Sequence, residues 1–377
     1  MTTLSRRRFL EAGLGATAAL AAGGCGREAP RVPDEILAFH RDCLVLDLHV
    51  DTLLSMRLVG YDIAKRHTNR LPGAPFSWHM DLPRAAEGGL DGAVLGLVIS
   101  PREVREELMG PLRWLARLED DRGIEQTLRT LGILAEAAER HAERLAFCRS
   151  GSEMRAAAAA GRFAALAGLE GSHGIESDLA NVRAAWERGL RMIGLTHFQA
   201  SSAAYPMTVA AFDGQGLTDF GRELIGEMER LRMVVDIAHV NLAGVDEALA
   251  RMTRPFVVSH SACRALQDHR RNLGDDHIRR IAGRGGVIGI AVGRDFLGRP
   301  GLDGFLDHVE HAIRVGGADC VALGSDWDGA IVPARGLEDV TTLPAVTAGL
   351  LGRGHSQEVV RKALGENALR VITEVTG

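Results

Sequence analysis

Aromatic side chains are scarce in this chain of 377 residues, at 5% of the total. That leaves little material for a stacking platform of the kind that holds single-stranded nucleic acid. No stretch is a block of Lys and Arg, and the formal net charge is −5, so a phosphate backbone finds no basic surface either. The 5 cysteines lie at 25, 43, 148, 263 and 320 with no Cys-x-x-Cys pair, which argues against a zinc site built on thiolates. Cys43, Cys148, Cys263 and Cys320 are expected as buried thiols. Cys43 and Cys320 are expected near each other without a disulfide, because bridge geometry is demanding. A glycine-rich phosphate loop is also missing where an open nucleotide-binding sheet would carry one, since the first apolar run leads into "HVDTL". What is present, 46% hydrophobic and 25% charged residues, is ordinary for a globular protein with a sizeable core.

Residues 1–29 read as a segment apart from the fold. "SRRRFL" places three arginines before the run "LGATAALAAGG", which is too short to span a bilayer and has no polar face. This resembles a twin-arginine export signal, which implies export of a folded chain. Small residues lead to Cys25 in "AAGGC", similar to a lipoprotein cleavage site, although Ala22 stands where Leu is usual. A lipid anchor through Cys25, a polar tether after it and a location in the periplasm or on the outer cell surface are therefore expected.

From residue 35 to 377 there are no internal repeats and no long linkers, and a single domain is expected. Eight apolar runs recur: "CLVLDLH" (43–49), "GAVLGLVIS" (92–100), "FAALAGLE" (163–170), "RMIGLTH" (191–197), "MVVDIAH" (233–239), "PFVVSH" (255–260), "GGVIGIAV" (285–292) and "CVALGSD" (320–326). Amphipathic stretches separate them, among them Thr218 to Leu231, Leu242 to Met252, Asp275 to Ala282 and Gly304 to Val315. Continuous apolar strands alternating with helices imply parallel pairing with both faces covered. Eight such units predict an α/β fold, a (β/α)8 TIM barrel, with residues 101–162 as a mostly helical decoration.

Six of the eight runs end in ionisable residues. His49 and Asp51 end the first, Glu170 the third, His197 the fourth, His239 the fifth, His260 the sixth and Asp326 the eighth. In a barrel these ends converge on one mouth. Four imidazoles and three carboxylates around one rim would cost many kcal/mol in desolvation unless something compensated them. A pair of divalent ions does so, since imidazole and carboxylate suit zinc and a shared carboxylate can bridge two ions. His49 and Asp51 can grip one ion and His239 and His260 the other, with Glu170 between them as the bridge. Asp326 is placed to take the proton of a shared water. No lysine occupies these positions, so a modified-lysine bridge is not needed.

The segments "DLHVDTL", "GLEGSHGIE", "GLTHF", "GLTDFGRELI", "VVDIAHV", "VVSHSACRALQDHRRNLGDD", "GSDWDG" and "ALGENALRV" together resemble the renal or membrane dipeptidase family. These are binuclear zinc peptidases of the amidohydrolase superfamily, and the resemblance runs from about residue 36 to 375. It implies metal ligands at His49, Asp51, Glu170, His239 and His260, two zinc ions bridged by Glu170, and an acid–base role for Asp326. It further implies that His197 contacts substrate and stabilises the tetrahedral oxyanion, and that Arg271 meets the substrate carboxylate.

Departures from the family pattern fall on the substrate side. "FQASSAAYP" follows His197 where an Asn-containing stretch is usual, and "AVGRD" replaces an Asn- or Tyr-bearing loop, with Arg294 expected as a solvated charge. Trp327 stands for the usual Phe and is expected to alter pocket bulk only. His173 is expected to bond within its loop. His67, His79, His141, His269, His277, His308 and His311 are expected to be solvated, and Arg270 is expected as a surface neighbour of Arg271. Three functions compete: a zinc dipeptidase, a hydrolase of the same chemistry on another amide, ester or lactam such as an exported peptide metabolite, and an exported binding protein without activity. The filled ligand positions disfavour the last. The oligomeric state stays open, a homodimer included.

Overall fold

The computed structural model describes residues 32–68, 78–99 and 122–377, of which Val32–Gly377 form one compact unit. The expected leader with Cys25, and residues 101–121 of the long connection, lie outside the described residues.

The described residues form nine parallel strands: β1 (Leu46–Val50), β2 (Gly92–Val98), β3 (Leu145–Cys148), β4 (Phe163–Glu170), β5 (Leu190–Gly194), β6 (Val234–Asp236), β7 (Val257–Ser261), β8 (Val287–Ile290) and β9 (Val321–Leu323). The hydrogen-bonded order runs β2-β1-β9-β8-β7-β6-β5-β4, and β2 pairs with β4 to close the ring. The eight closing strands are the eight apolar runs of the sequence, so the (β/α)8 barrel is present as expected. β3 is an addition. It pairs Leu145–Cys148 with Phe163–Leu166, the first half of β4, while β5 pairs with Ala167–Leu169. The connection before β4 is otherwise helical, with helices Gly123–Arg140 and Gly151–Ala159.

Why these runs make strands is visible in their burial. β1, β4, β6, β7, β8 and β9 are buried along their whole length, as strands covered on both faces must be. One buried cluster collects Leu46, Leu48, Val94, Ala164, Leu166, Met192, Val234, Val257, Val287 and Ala322, at least one residue from each closing strand. That is the barrel interior. Leu369, Ile372 and Val375 of the last helix, Asn367–Thr376, join it as a plug. A second, larger cluster lies between the strands' outer faces and the helices.

The outer helices match their amphipathic stretches closely: Asp219–Arg230, Leu242–Arg251, Asp275–Gly283 and Leu302–Gly316. Thr218 and Asn241 cap the first two by accepting from Gly221 N and Gly244 N. Among the described residues no helix is long and apolar enough to cross a membrane.

Candidate active site

A period of two carries side chains of one strand to one face, so Ala164, Leu166 and Glu170 of β4 share the inward face. Glu170 is therefore the last of an inward row, aimed along the barrel axis at the mouth. β1 would put His49 on the opposite face from Leu46 and Leu48. A register irregularity between Asp47 and Val50 re-aims it, and one between Val258 and Ser261 does the same beside His260. At the exits of β6 and β9, His239 (φ 66°) and Asp326 (φ 65°) adopt left-handed backbone, which costs on the order of 1–3 kcal/mol each and marks positions the surroundings over-determine.

The four imidazoles meet at one oxygen. Glu170 Oε1 lies 3.0 Å from His239 Nε2, 3.3 Å from His197 Nε2, 3.4 Å from His260 Nε2 and 3.5 Å from His49 Nε2. His49 Nε2 is also 3.3 Å from Asp51 Oδ1, and His239 Nε2 is 2.8 Å from His260 Nε2. Donor atoms of three sets gather within 4.8 Å: His49, Glu170 and His260; Glu170, His197 and His239; His49, Asp51 and Asp326. All seven residues that sequence reasoning placed on the rim are thus together.

Electrostatically the cluster conflicts with itself. Burial and the neighbouring Asp51 push the Glu170 carboxyl well above its ordinary range, against the attraction of His49. Burial and Asp51 likewise push Asp326 up to about 8, against His49 and Arg271. Burial, then the cations and imidazoles nearby, hold His197, His239 and His260 well below theirs, so they are neutral. Burial would lower His49 too, but Asp51, Glu170 and Asp326 override it and raise it. Cations in the middle would resolve every one of these conflicts, since they favour ionised carboxylates and bind neutral imidazole. Among the described residues the buried Nε2 of His49 and Oδ1 of Asp51 have no hydrogen-bond partner, which suits ligand atoms. Space is kept for them: a Cβ at Gly96 would collide with Asp51 Oδ1, and one at Gly329 with Asp326 Oδ1. The donor set fits a pair of divalent ions.

Arg271 is 3% exposed, donates to His260 O (3.2 Å) and reaches Met207 Sδ (3.5 Å). Among the described residues it has no carboxylate within ion-pair distance. A buried guanidinium with most of its five donors unspent is set to receive an anion. Met207 is held there because its N–H donates to His239 O (2.7 Å). Phe198, 56% exposed, stands at the mouth with its ring 4.1 Å from His197 and 5.1 Å from His239.

Supports that sequence reasoning missed surround these groups. Asp47 Oδ1 accepts from His49 N and Ser325 N, fixing β1 to the residue before Asp326. Asp236 Oδ1 does the same between Ala238 N and Ser259 N, beside His239 and His260. Each is an aspartate inside an apolar run, and that was the available signal. Asp326 N donates to His49 O and Asp51 N to Trp327 O, so the two loops are zipped together.

His79, His308 and His311 are buried rather than solvated. His79 Nδ1 accepts from Asp328 N, while the Asp328 carboxylate accepts from Thr52 Oγ1, bracing the residue after Asp51. His308 Nδ1 accepts from Cys263 N and its Nε2 donates to Leu297 O, steadying the loop that leads to Arg271. Trp327 is wholly buried and donates to Leu337 O, so it is core and not pocket wall. Arg270 and Arg294 are exposed, and Cys43, Cys148, Cys263 and Cys320 are buried free thiols, as expected.

A parallel barrel whose strand ends gather imidazoles and carboxylates around one oxygen has the make-up of a metal-dependent hydrolase. The family model for membrane dipeptidases, peptidase family M19, matches residues 34–377, and the chain belongs to that family. It is a hydrolytic metallopeptidase. The dipeptidase verJ of Clonostachys rogersoniana is 31% identical over 301 residues, which is 79% of this chain and 76% of that protein. The crystal structure of the dipeptidase AC, an M19 metallopeptidase, superposes with a TM-score of 0.76 at 28% identity, covering 89% of this chain and 99% of that one. A metallopeptidase from Rhodobacter sphaeroides, liganded with a phosphinate mimic of the dipeptide L-Ala-D-Ala, does so with a TM-score of 0.76 at 27% identity over 88% and 99%.

Proposed function

We propose that the chain is a zinc dipeptidase that hydrolyses the peptide bond of dipeptides carrying a free C-terminal carboxylate. The observation that carries this reading is Arg271, a buried cation with no carboxylate partner among the described residues, beside the imidazole–carboxylate cluster. A peptide's C-terminal carboxylate supplies the missing partner in two parallel hydrogen bonds. The dipeptide mimic bound by the Rhodobacter sphaeroides relative supports the same substrate class.

His49 and Asp51 would hold one zinc, His239 and His260 the other, and Glu170 would serve both. When bound, zinc would supply Lewis acidity and activate a water near neutral pH. The protein does the rest. Arg271 orients the substrate by its carboxylate. His197, kept neutral by burial and with its side chain 15% exposed, faces the oxygen that becomes negative. Asp326, whose carboxylate is ionised once cations offset its burial and the nearby Asp51, takes a proton from the water and delivers it to the departing amine.

Phe198 favours a second reading of the substrate. An exposed aromatic stands at the mouth where the family pattern has an Asn-containing stretch, which suits an apolar group on a peptide metabolite, as amide, ester or lactam. Hydrolysis of a mixed dipeptide panel beside the matching dipeptide amides separates the two. Free acids turned over far faster than amides support the dipeptidase; equal rates hand the site to the second reading.

We propose further that residues 1–29 direct export of a catalytic unit spanning 35–377, with Cys25 lipidated. Replacing Arg6 and Arg7 with lysine should hold precursor in the cytoplasm, and Cys25→Ser should release the exported protein from membranes. Unchanged fractionation of either variant contradicts the corresponding part.

A further inference from the structure

His260 is the one imidazole of the site whose far nitrogen is held by a side chain of fixed polarity. Its Nδ1 lies 2.9 Å from Ser259 Oγ, and Ser259 Oγ lies 2.6 Å from Asp236 Oδ2. Asp236 is 2% exposed, Ser259 0% and His260 1%, so water does not complete this chain. The Nδ1 atoms of His49 and His239 are buried and make no hydrogen bond among the described residues. His260 is singled out.

The direction of the chain follows from counting hydrogens. Asp236 Oδ1 already accepts two backbone N–H groups, from Ala238 and Ser259, both at 2.9 Å, which fixes the carboxylate as an acceptor. Ser259 has one hydroxyl hydrogen, and Oδ2 takes it. The serine oxygen has only lone pairs left for His260, so Nδ1 must carry the ring hydrogen. Nε2 is then bare and faces Glu170 Oε1 at 3.4 Å, ready to ligate.

We infer that Asp236 and Ser259 are positioning residues that set His260 in the tautomer a metal needs before any ion arrives. The inference rests on the metal reading of the site and deepens it. It assigns a polarity and not merely a support, so it makes a prediction that packing does not. In Asp236→Asn the amide oxygen must still face the two backbone N–H groups, which turns the amide N–H toward Ser259 Oγ. The serine hydrogen is then driven onto His260 Nδ1, and the ring hydrogen onto Nε2, where it blocks the ligand position. Same shape, reversed chain.

The test is a double-mutant cycle in zinc affinity, read by chelator competition on the metal-free protein, with melting as a check of fold. Ser259→Ala only removes the relay and should weaken zinc about 10-fold, at the low end of what outer partners of metal ligands contribute. Asp236→Asn should cost about 100-fold or more. In the double variant Ser259→Ala with Asp236→Asn the wrong polarity has no carrier, so affinity should climb back toward that of Ser259→Ala alone. Additive losses overturn the inference. Nitrogen NMR of histidine-labelled, metal-free wild type gives an answer that does not depend on any variant folding: His260 with its hydrogen on Nδ1 supports the relay, and on Nε2 refutes it. Failure of the metal reading looks different, since wild type would then take up no zinc at all.

Discussion

Glu170→Gln tests the proposed bridge most sharply, because one oxygen lies within 3.5 Å of four imidazole nitrogens and would be shared by both ions. Removing its charge weakens two sites at once, whereas His239→Ala weakens one. Loss of an outer partner of a metal ligand typically costs 10–100-fold in affinity, so losing a shared ligand should cost at least about 100-fold per ion. With free metal at about 1,000 times the dissociation constant, each ion stabilises the fold by about 4 kcal/mol, and a 100-fold weaker site retains about 1.4 kcal/mol. Two ions then give a loss of about 5 kcal/mol. At about 2 °C per kcal/mol for a protein of this size, the metal-loaded variant should melt roughly 10 °C lower than wild type, and His239→Ala about half as much lower. The metal-free proteins should order differently. Burial and Asp51 raise the Glu170 carboxyl in the folded state, so its ionisation opposes folding above the ordinary carboxylate pKa. Glutamine cannot ionise, and metal-free Glu170→Gln should melt no lower than metal-free wild type. Scanning calorimetry with and without zinc reads both. A metal-induced rise in Tm as large in Glu170→Gln as in wild type would refute the bridge.

Asp326→Asn should lower kcat by about 10²–10⁴-fold with little change in KM, the range for a general acid–base, and steady-state kinetics on a dipeptide read it. Arg271→Lys should raise KM for free dipeptides strongly and leave kcat near normal, because lysine cannot make the paired hydrogen bonds; the variant should be nearly silent on a dipeptide amide. Asp91, which accepts from Val45 N at 2.8 Å, is pushed up to about 6 by burial. A carboxyl raised on folding loses stability as pH climbs from its unfolded value near 4 through 6, so metal-free Asp91→Asn should gain about 1–2 kcal/mol at pH 7, discounted for partial exposure, and nothing at pH 4. Urea unfolding at the two pH values checks this.

The barrel was legible because each closing strand is a continuous apolar run, and the site because six of those runs break into ionisable residues at the same end. β3 escaped because Leu145–Cys148 is four residues long inside a connection dominated by helical periodicity. His308 and His311 were misread by residue type. They lie in one helix with Phe305, Val309 and Ala312, all buried, so position on the helix outweighs the polarity of imidazole once its nitrogens are bonded. Arg271 lies on the loop beyond β7, where no periodicity points inward, and only the family resemblance singled it out. Asp47 and Asp236 were visible as interruptions of "VLDLH" and "VVDIAH", but their bonds to the next strand's backbone depend on which strands are neighbours. Strand order is not written in a single run.

Titrating zinc into metal-free protein while following hydrolysis of one dipeptide probes the proposed two-ion centre and its substrate together. Activity should be absent without metal and should rise to a plateau at two equivalents per chain. A plateau at one equivalent, or turnover that survives complete chelation, would contradict it.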